Sequence, residues 1–328
     1  MRFTIGFDPR DKKALFRYWD EILTTQKWVE GKFTRLFEEK WEAHNGLPSL
    51  AFSSWSGAAV AALEYLGVRG KTVLCPSNTF MATPLSVMAA GGKVGFVDCN
   101  REDLCLSLAD LRVKIARHKP AAVWVVHIGG HIAFDIEGIA RLCRREGVVL
   151  LEDCAHAHGA TFKGRKPGSW GRAGFYSFYG TKTISTGEGG MLVSKDRSLM
   201  GFAAKYRNYG KPDYRTPGLN LRINEFAAAL GCVETDRLPD IVAWKQDYAR
   251  RCLDPIYPNR VRFPAGMKSG YYKYIVFDPI AHSTGKVYDQ PCHRIMGRKD
   301  RLPDSEWVAA HHWCVPLYYK GIVQRRGS

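Results

Sequence analysis

The sequence predicts an α/β fold, with a mostly parallel central sheet covered by helices. Three observations carry that prediction. Short apolar runs alternate with helical stretches from about residue 50 to 195, the rhythm of successive βαβ units. The runs are almost continuously apolar, as strands buried on both faces must be. The composition, 45% hydrophobic and 24% charged over 328 residues, is that of a chain able to bury a sizeable core.

The expected strands cover residues 72–75, 94–98, 122–127 and 148–153, with a further one at 191–194. Helix-like segments at 56–66, 83–90, 108–118 and 136–146 separate them. In such sheets ligands collect beyond the carboxyl ends of the strands, here 76–80, 127–130 and 153–158. Residues 1–50 read as a helical lead-in anchored by Phe16, Trp19, Trp28, Phe37 and Trp41. Near residue 240 the pattern changes. A helix over 241–253 leads to a turn-rich stretch with Pro255, Pro258 and Pro264, then a strand at 271–277. The chain thus divides into a large domain, 1–240, and a smaller one, 241–328.

Several classes are disfavoured at this point. No apolar run approaches the ~18–20 residues that span a bilayer. The opening MRFTIGFDPRDKK carries charges where a secretory leader is apolar. The nine cysteines are odd in number and form no C-x-x-C pair, which argues against a disulfide framework or zinc ribbon and for the cytoplasm. The 48 basic and 32 acidic residues leave +16, half of it in residues 241–328, where 15 Lys/Arg face 7 Asp/Glu. No nucleic-acid-binding motif accompanies that surplus, so an anionic small substrate is the better match. His127, His131, His158 and the pair His311-His312 have no carboxylate or thiol spacing that completes a metal site. They are expected to be satisfied polar residues or substrate contacts.

Four pieces at the expected carboxyl edge carry chemistry. Ser56-Gly57-Ala58 opens an Ala-rich helix, where free N–H groups suit phosphate, although an ordinary N-cap accounts for it as well. Phe80 follows a strand and offers a ring for stacking on a flat ligand, or belongs to the core. Asp153 ends an apolar strand and needs a cationic partner there, either a protonated ring nitrogen or a structural cation. Lys182 sits in the turn Ser177-Phe-Tyr-Gly-Thr-Lys182, ahead of Gly187-Glu-Gly-Gly190. Desolvation in such a turn lowers a lysine's pKa and favours the nucleophilic amine. Together the pieces match the needs of pyridoxal phosphate (PLP): an amine, an acid, a stacking ring and a phosphate cradle.

These residues resemble the DegT/DnrJ/EryC1/StrS sugar aminotransferases, of the type I aminotransferase fold. The resemblance rests on Glu152-Asp-Cys-Ala-His-Ala-His-Gly-Ala160, Ser177–Lys182, Gly187–Gly190, Arg207-Asn-Tyr-Gly210 and Gly218-Leu-Asn-Leu-Arg222. Phe37-Glu38, Ser56-Gly57 and Pro76-x-x-Thr79-Phe80 add to it, and it runs from about residue 25 to 250. It implies that Lys182 forms an internal aldimine with PLP and then shuttles the proton, while Asp153 keeps the pyridine nitrogen protonated. It implies that Phe80 stacks on the ring, that Ser177 and the amides of Gly57 and Ala58 hold the phosphate beside Ser56, and that His156 lies near the ring hydroxyl. Asn220 resembles a residue that reaches the neighbouring subunit's phosphate site, which implies a homodimer with shared active sites. The reaction implied moves an amino group from an amino acid, L-glutamate foremost, to a keto group of a nucleotide-linked sugar through pyridoxamine phosphate.

Departures accompany the resemblance. Ala58 stands where a hydroxyl residue is usual, and Gly180 where a proline precedes Thr-Lys. Only about a dozen residues separate the strand at 271–277 from Pro291-Cys-His293, and no closing helix follows Pro316-Leu-Tyr-Tyr319, so the C-terminal small domain is abbreviated. Two alternatives stay open: an acceptor that is a cyclic ketone or aminocyclitol precursor without a nucleotide, and a non-catalytic or regulatory member that binds an anionic partner. A dehydratase is disfavoured, because that branch replaces the lysine with histidine.

Overall fold

The computed structural model describes residues 7–321. Two helices lead in, α1 (Pro9–Thr25) and α2 (Lys32–Asn45). Phe33, Phe37 and Trp41 recur every four residues on one face of α2 and are buried. Phe16 and Trp28 behave differently from their expected role as anchors. They are 52% and 47% exposed; α1 turns Leu15 and Ile22 inward rather than Phe16, and Trp28, beyond the helix, lays one face on Phe226 at 5.5 Å.

The central sheet takes seven strands: β1 (Ser49–Phe52), β2 (Thr72–Pro76), β3 (Lys93–Val97), β4 (Ala122–Val126), β5 (Val149–Asp153), β7 (Ala173–Ser177) and β8 (Gly190–Val193), with the short β6 (Thr161–Phe162) outside it. Their spatial order is β1-β8-β7-β5-β4-β2-β3. Strand β8 runs antiparallel to both neighbours, and the other pairings are parallel. Between the strands lie α3 (Trp55–Tyr65), α4 (Ala82–Ala89), α5 (Leu108–His118), α6 (Ile136–Arg145) and, after β8, α7 (Arg197–Tyr206). Every residue of β4 and β7 is buried, the consequence of helices on both faces. Parallel pairing puts the ends of β2, β4, β5 and β7 at one edge, with Val126 opposite Asp153 and Asp153 opposite Phe175.

Helix α8 (Glu225–Tyr248) runs unbroken through residue 240, with Pro239 inside it, so the helix expected to begin at 241 starts sixteen residues earlier. A π-helical turn (Ala249–Leu253) ends it. The strand expected over 271–277 shortens to β10 (Tyr274–Val276), which pairs antiparallel with β11 (Trp313–Val315) over a small apolar cluster of Ala249, Leu253 and Leu317. Strand β9 (Met267–Lys268) pairs with β6. Short helices α9 (Cys292–Ile295) and α10 (Pro303–Ala310) send Cys292 and Val308 back into the main cores. Among the described residues no helix is long and apolar enough to cross a membrane.

One buried carboxylate ties the edge together. Glu152, fully buried in β5, accepts hydrogen bonds from the amides of Gly168 (2.8 Å), Trp170 (2.7 Å) and Gly171, and pairs with His127 Nε2 at 3.0 Å. Because His127 Nδ1 accepts from the Ala133 amide (3.2 Å), its Nε2 carries the proton that Glu152 accepts. Glu152→Ala leaves three amides and an imidazole without acceptors, and a loss of about 3–5 kcal/mol is expected. Urea unfolding checks this: Glu152→Gln should fall between wild type and Glu152→Ala, and an Ala variant as stable as wild type contradicts the assignment.

Candidate active site

A cavity of about 510 Å³ opens at the carboxyl edge of the sheet. Ser56, Phe80, Asp153, His156, Ser177 and Lys182 all line it. Asp153 ends β5 and is 6% exposed. Its Oδ1 accepts from the Ala155 amide (3.0 Å) and its Oδ2 from the Thr83 hydroxyl (3.2 Å). Burial raises its pKa, against the opposing pull of those bonds and of the Lys182 charge.

Lys182 is presented by the loop that joins β7 to β8. The Phe178 amide donates to Gly189 O and the Thr186 amide to Phe178 O, both at 2.9 Å, so the ends of the loop are clamped. Buried Ile184 anchors it, and the Lys182 amide closes a turn on Tyr179 O at 2.9 Å. Desolvation brings the Lys182 pKa down to about 8, with Asp153 pulling upward and Lys273 adding repulsion. Close to neutral pH this side chain is therefore divided between ammonium and amine. Asp153 ends β5, and Lys182 lies in the loop five residues beyond the end of β7, the strand paired in parallel with β5.

Phe80 is 65% exposed, whereas Ser77, Asn78 and Thr79 just before it are almost fully buried. That segment is held by hydrogen bonds from the Cys292 amide to Ser77 O (2.8 Å) and from Asn78 Nδ2 to Leu104 O (2.8 Å). Ser77 Oγ and His293 Nδ1 add a contact of 2.6 Å. A rigid loop thus holds out an apolar ring face to the cavity.

Helix α3 begins one residue earlier than the sequence suggests. Ser54 is its N-cap, and the Ser54 hydroxyl accepts from the Gly57 amide at 3.1 Å, while the Ala58 amide donates to Ser54 O at 3.3 Å. Gly57 and Ala58 are buried and their amides are engaged within the helix, contrary to the expectation that these amides face a ligand. The first-turn amides left without an intrahelical acceptor are those of Trp55 and Ser56, and both residues line the cavity. Asn220 lies outside the cavity on the surface, its Oδ1 accepting from Arg222 Nε at 3.1 Å.

The histidines divide. His127 and His131 are hydrogen-bonded inside the protein, and His311 and His312 bond back to the last turn of α10. His156 and His158 are buried, with Nδ1 of the first and both nitrogens of the second lacking a hydrogen-bond partner among the described residues. His158 sits edge-on against Trp41, Tyr176 and Phe178, and burial lowers its pKa to about 3. The fold also does what spacing hid: it brings Asp103 and Cys105 beside His131, and Glu152 and Cys154 beside His127. The carboxylate oxygens of both groups already accept amide hydrogen bonds, which makes these sets structural.

Four residues that the sequence reading did not single out also line the cavity: Tyr272, Lys273, Lys286 and Tyr288. The Tyr272 ring stacks on His156 at 4.2 Å and lies 5.1 Å from Lys182 Nζ and 5.3 Å from Lys273 Nζ. The segment that carries it is pinned beyond β4, where the Gly270 amide donates to Gly130 O (2.7 Å) and the Lys273 amide to Gly129 O (2.8 Å). Gly130 has φ +111°, and a Cβ there would lie 2.4 Å from the Tyr272 nitrogen, so only glycine permits this approach. The signal was present in Gly129-Gly130 and Gly270, but nothing local says that the two meet.

Comparison with known proteins places this geometry in context. The chain is 31% identical over 241 residues to GDP-perosamine synthase of Escherichia coli O157:H7, a match that covers 71% of this chain and 65% of that protein. The aligned segment thus spans just under two thirds of that relative's length. A pleiotropic regulatory protein of Geobacillus stearothermophilus is 31% identical over 94% of this chain and 90% of its own. Among solved structures, a DegT DnrJ EryC1 StrS aminotransferase from Brucella abortus superposes with a TM-score of 0.88 at 23% identity, over 95% of this chain and 92% of the other, which establishes the fold. Residues 9–269 match the DegT/DnrJ/EryC1/StrS aminotransferase family, and the chain belongs to that family.

Proposed function

We propose that this protein is a PLP-dependent aminotransferase that moves an amino group from an amino acid, L-glutamate foremost, to a keto group of a nucleotide-linked sugar. The observation that carries the reading is the convergence of Lys182 and Asp153 on one cavity with the exposed face of Phe80. The residues fit the cofactor. The cavity has an amine, a buried acid, an apolar ring face, the two open amides of α3 and the unpartnered Nδ1 of buried His156. When bound, PLP supplies an aldehyde that takes up amines and a ring that withdraws electrons.

The chain's own residues then have distinct tasks. Lys182, at about 8, offers a neutral amine near physiological pH and can hold a proton when one is released. Asp153, braced by Thr83 and Ala155, presents a carboxylate to a ring nitrogen and keeps it protonated. The Trp55 and Ser56 amides, with Ser56 and Ser177, are placed for a phosphate at a positive helix terminus. The name of the E. coli relative supports a nucleotide-linked acceptor. The reading includes a homodimer in which Asn220 serves the partner's site. Its support is that Asn220 lies outside its own cavity, next to exposed Leu219, whose carbonyl accepts from the amide of exposed Tyr209.

A second reading, a regulatory protein of the same fold, is favoured by the name of the Geobacillus relative. A visible spectrum separates the two. Added PLP should give an absorption band that Lys182→Ala abolishes and that L-glutamate changes; no band, or one indifferent to Lys182, contradicts the enzymatic reading. The lysine's pKa adds a pH test. Only the neutral amine reacts, so the rate of PLP capture should climb with pH through about 8 and then level off. A rate that keeps rising up to the ordinary lysine value of 10.5 contradicts the assignment.

A further inference from the structure

Lys182 also lines a second, smaller and partly open cavity of about 60 Å³. It shares Thr181, Lys182, Tyr272 and Lys273 with the main cavity, so the two adjoin along the Tyr272 ring. The rest of its wall includes Lys245, Thr183 and apolar Ile241 and Leu317. Since about 10–15 Å³ of such space admits one water, there is room here for a few waters or one carboxylate group.

Lys245 is the unusual member. It lies on the inward stripe of α8, among Leu238, Ile241, Val242 and Ala249, and is 7% exposed. Its ammonium donates to the Tyr271 carbonyl at 3.2 Å, which uses one of three donors. No acid acts on it among the described residues; burial and the nearby Lys273 bring its pKa down to about 8. Thr183, 5% exposed, has a hydroxyl with no hydrogen-bond partner. A buried ammonium without an anion is costly, and so is an unmade hydroxyl bond. One anion seated in this cavity relieves both, and Lys182 and Tyr272 stand in the walls of this cavity and of the main one alike.

We propose that this second cavity receives the side-chain carboxylate of an acidic amino donor, held by Lys245 and Lys273 and by the Thr183 hydroxyl. This rests on the aminotransferase reading and adds the donor subsite to it. A dicarboxylate whose amine lies at Lys182 places an anionic group one short chain away, on the side where the lysines gather. Donors with a neutral side chain lack this second carboxylate and gain nothing from the subsite.

The test uses glutarate, a dicarboxylate with no amine to react, titrated into the full-length protein loaded with PLP and followed by calorimetry. Wild type should bind saturably, Lys245→Met at least tenfold more weakly, and Thr183→Val severalfold more weakly, while Lys245→Arg stays within a few fold of wild type. The KM for L-glutamate should rise about tenfold in Lys245→Met with a smaller change in kcat. Equal glutarate binding by wild type and both of the uncharged or apolar variants overturns the subsite, as does failure of wild type to bind. Should Lys245→Met misfold, Thr183→Val alone decides. The PLP band is read in the same samples: its absence in wild type defeats the underlying reading, whereas an intact band with unchanged glutarate binding defeats only the subsite.

Discussion

The structure depends on a shortage of negative charge around a group of buried lysines and histidines. Lys182, Lys245, Lys273, His156 and His158 lie close enough to influence one another's protonation, and Asp153 is the carboxylate among the charges acting on Lys182. Burial pushes Asp153 and Lys182 both toward their neutral forms, while each stabilises the charge on the other. Such a balance is unfavourable for folding and useful for chemistry, since a lysine brought down to about 8 can give up and take back a proton. The same deficit makes the cavities receptive to anions.

Holding that balance is the work of the scaffold. Parallel pairing brings four strand ends to one edge, and Glu152, one residue before Asp153, locks the edge by binding the 168–171 turn and His127. The Lys182 loop is clamped by the β7–β8 ladder, Phe80 by its bonds to the α9 and α5 sides, and Tyr272 by the glycines beyond β4. Each reacting group therefore hangs from a rigid element, and the side chains that touch a ligand need little rearrangement to do so.

Much of this was legible in the sequence because it is local. Continuous apolar runs marked the buried strands, and a charged residue at the end of one run marked Asp153. The lysine turn with its glycines marked Lys182. What was not legible depends on meetings between distant segments. Tyr272 and Lys273 reach the cavity because residue 270 packs on Gly130, 140 positions away in the chain. The amides at the start of α3 were misplaced by two residues, since Ser54 and Ser56 are both plausible caps and only geometry chooses between them. Lys245 was readable after all: a lysine on the apolar stripe of a long helix is a buried charge in need of a partner.

The central claim is that Asp153 is the anion that sustains the charge on Lys182. The direct measurement is the pH midpoint of Lys182 reductive methylation, mapped by mass spectrometry in wild type and Asp153→Asn. The account predicts a midpoint of about 8 in wild type and a lower one in the variant, because the sole upward pull has been removed. A midpoint that is unchanged or moves upward in Asp153→Asn would contradict it.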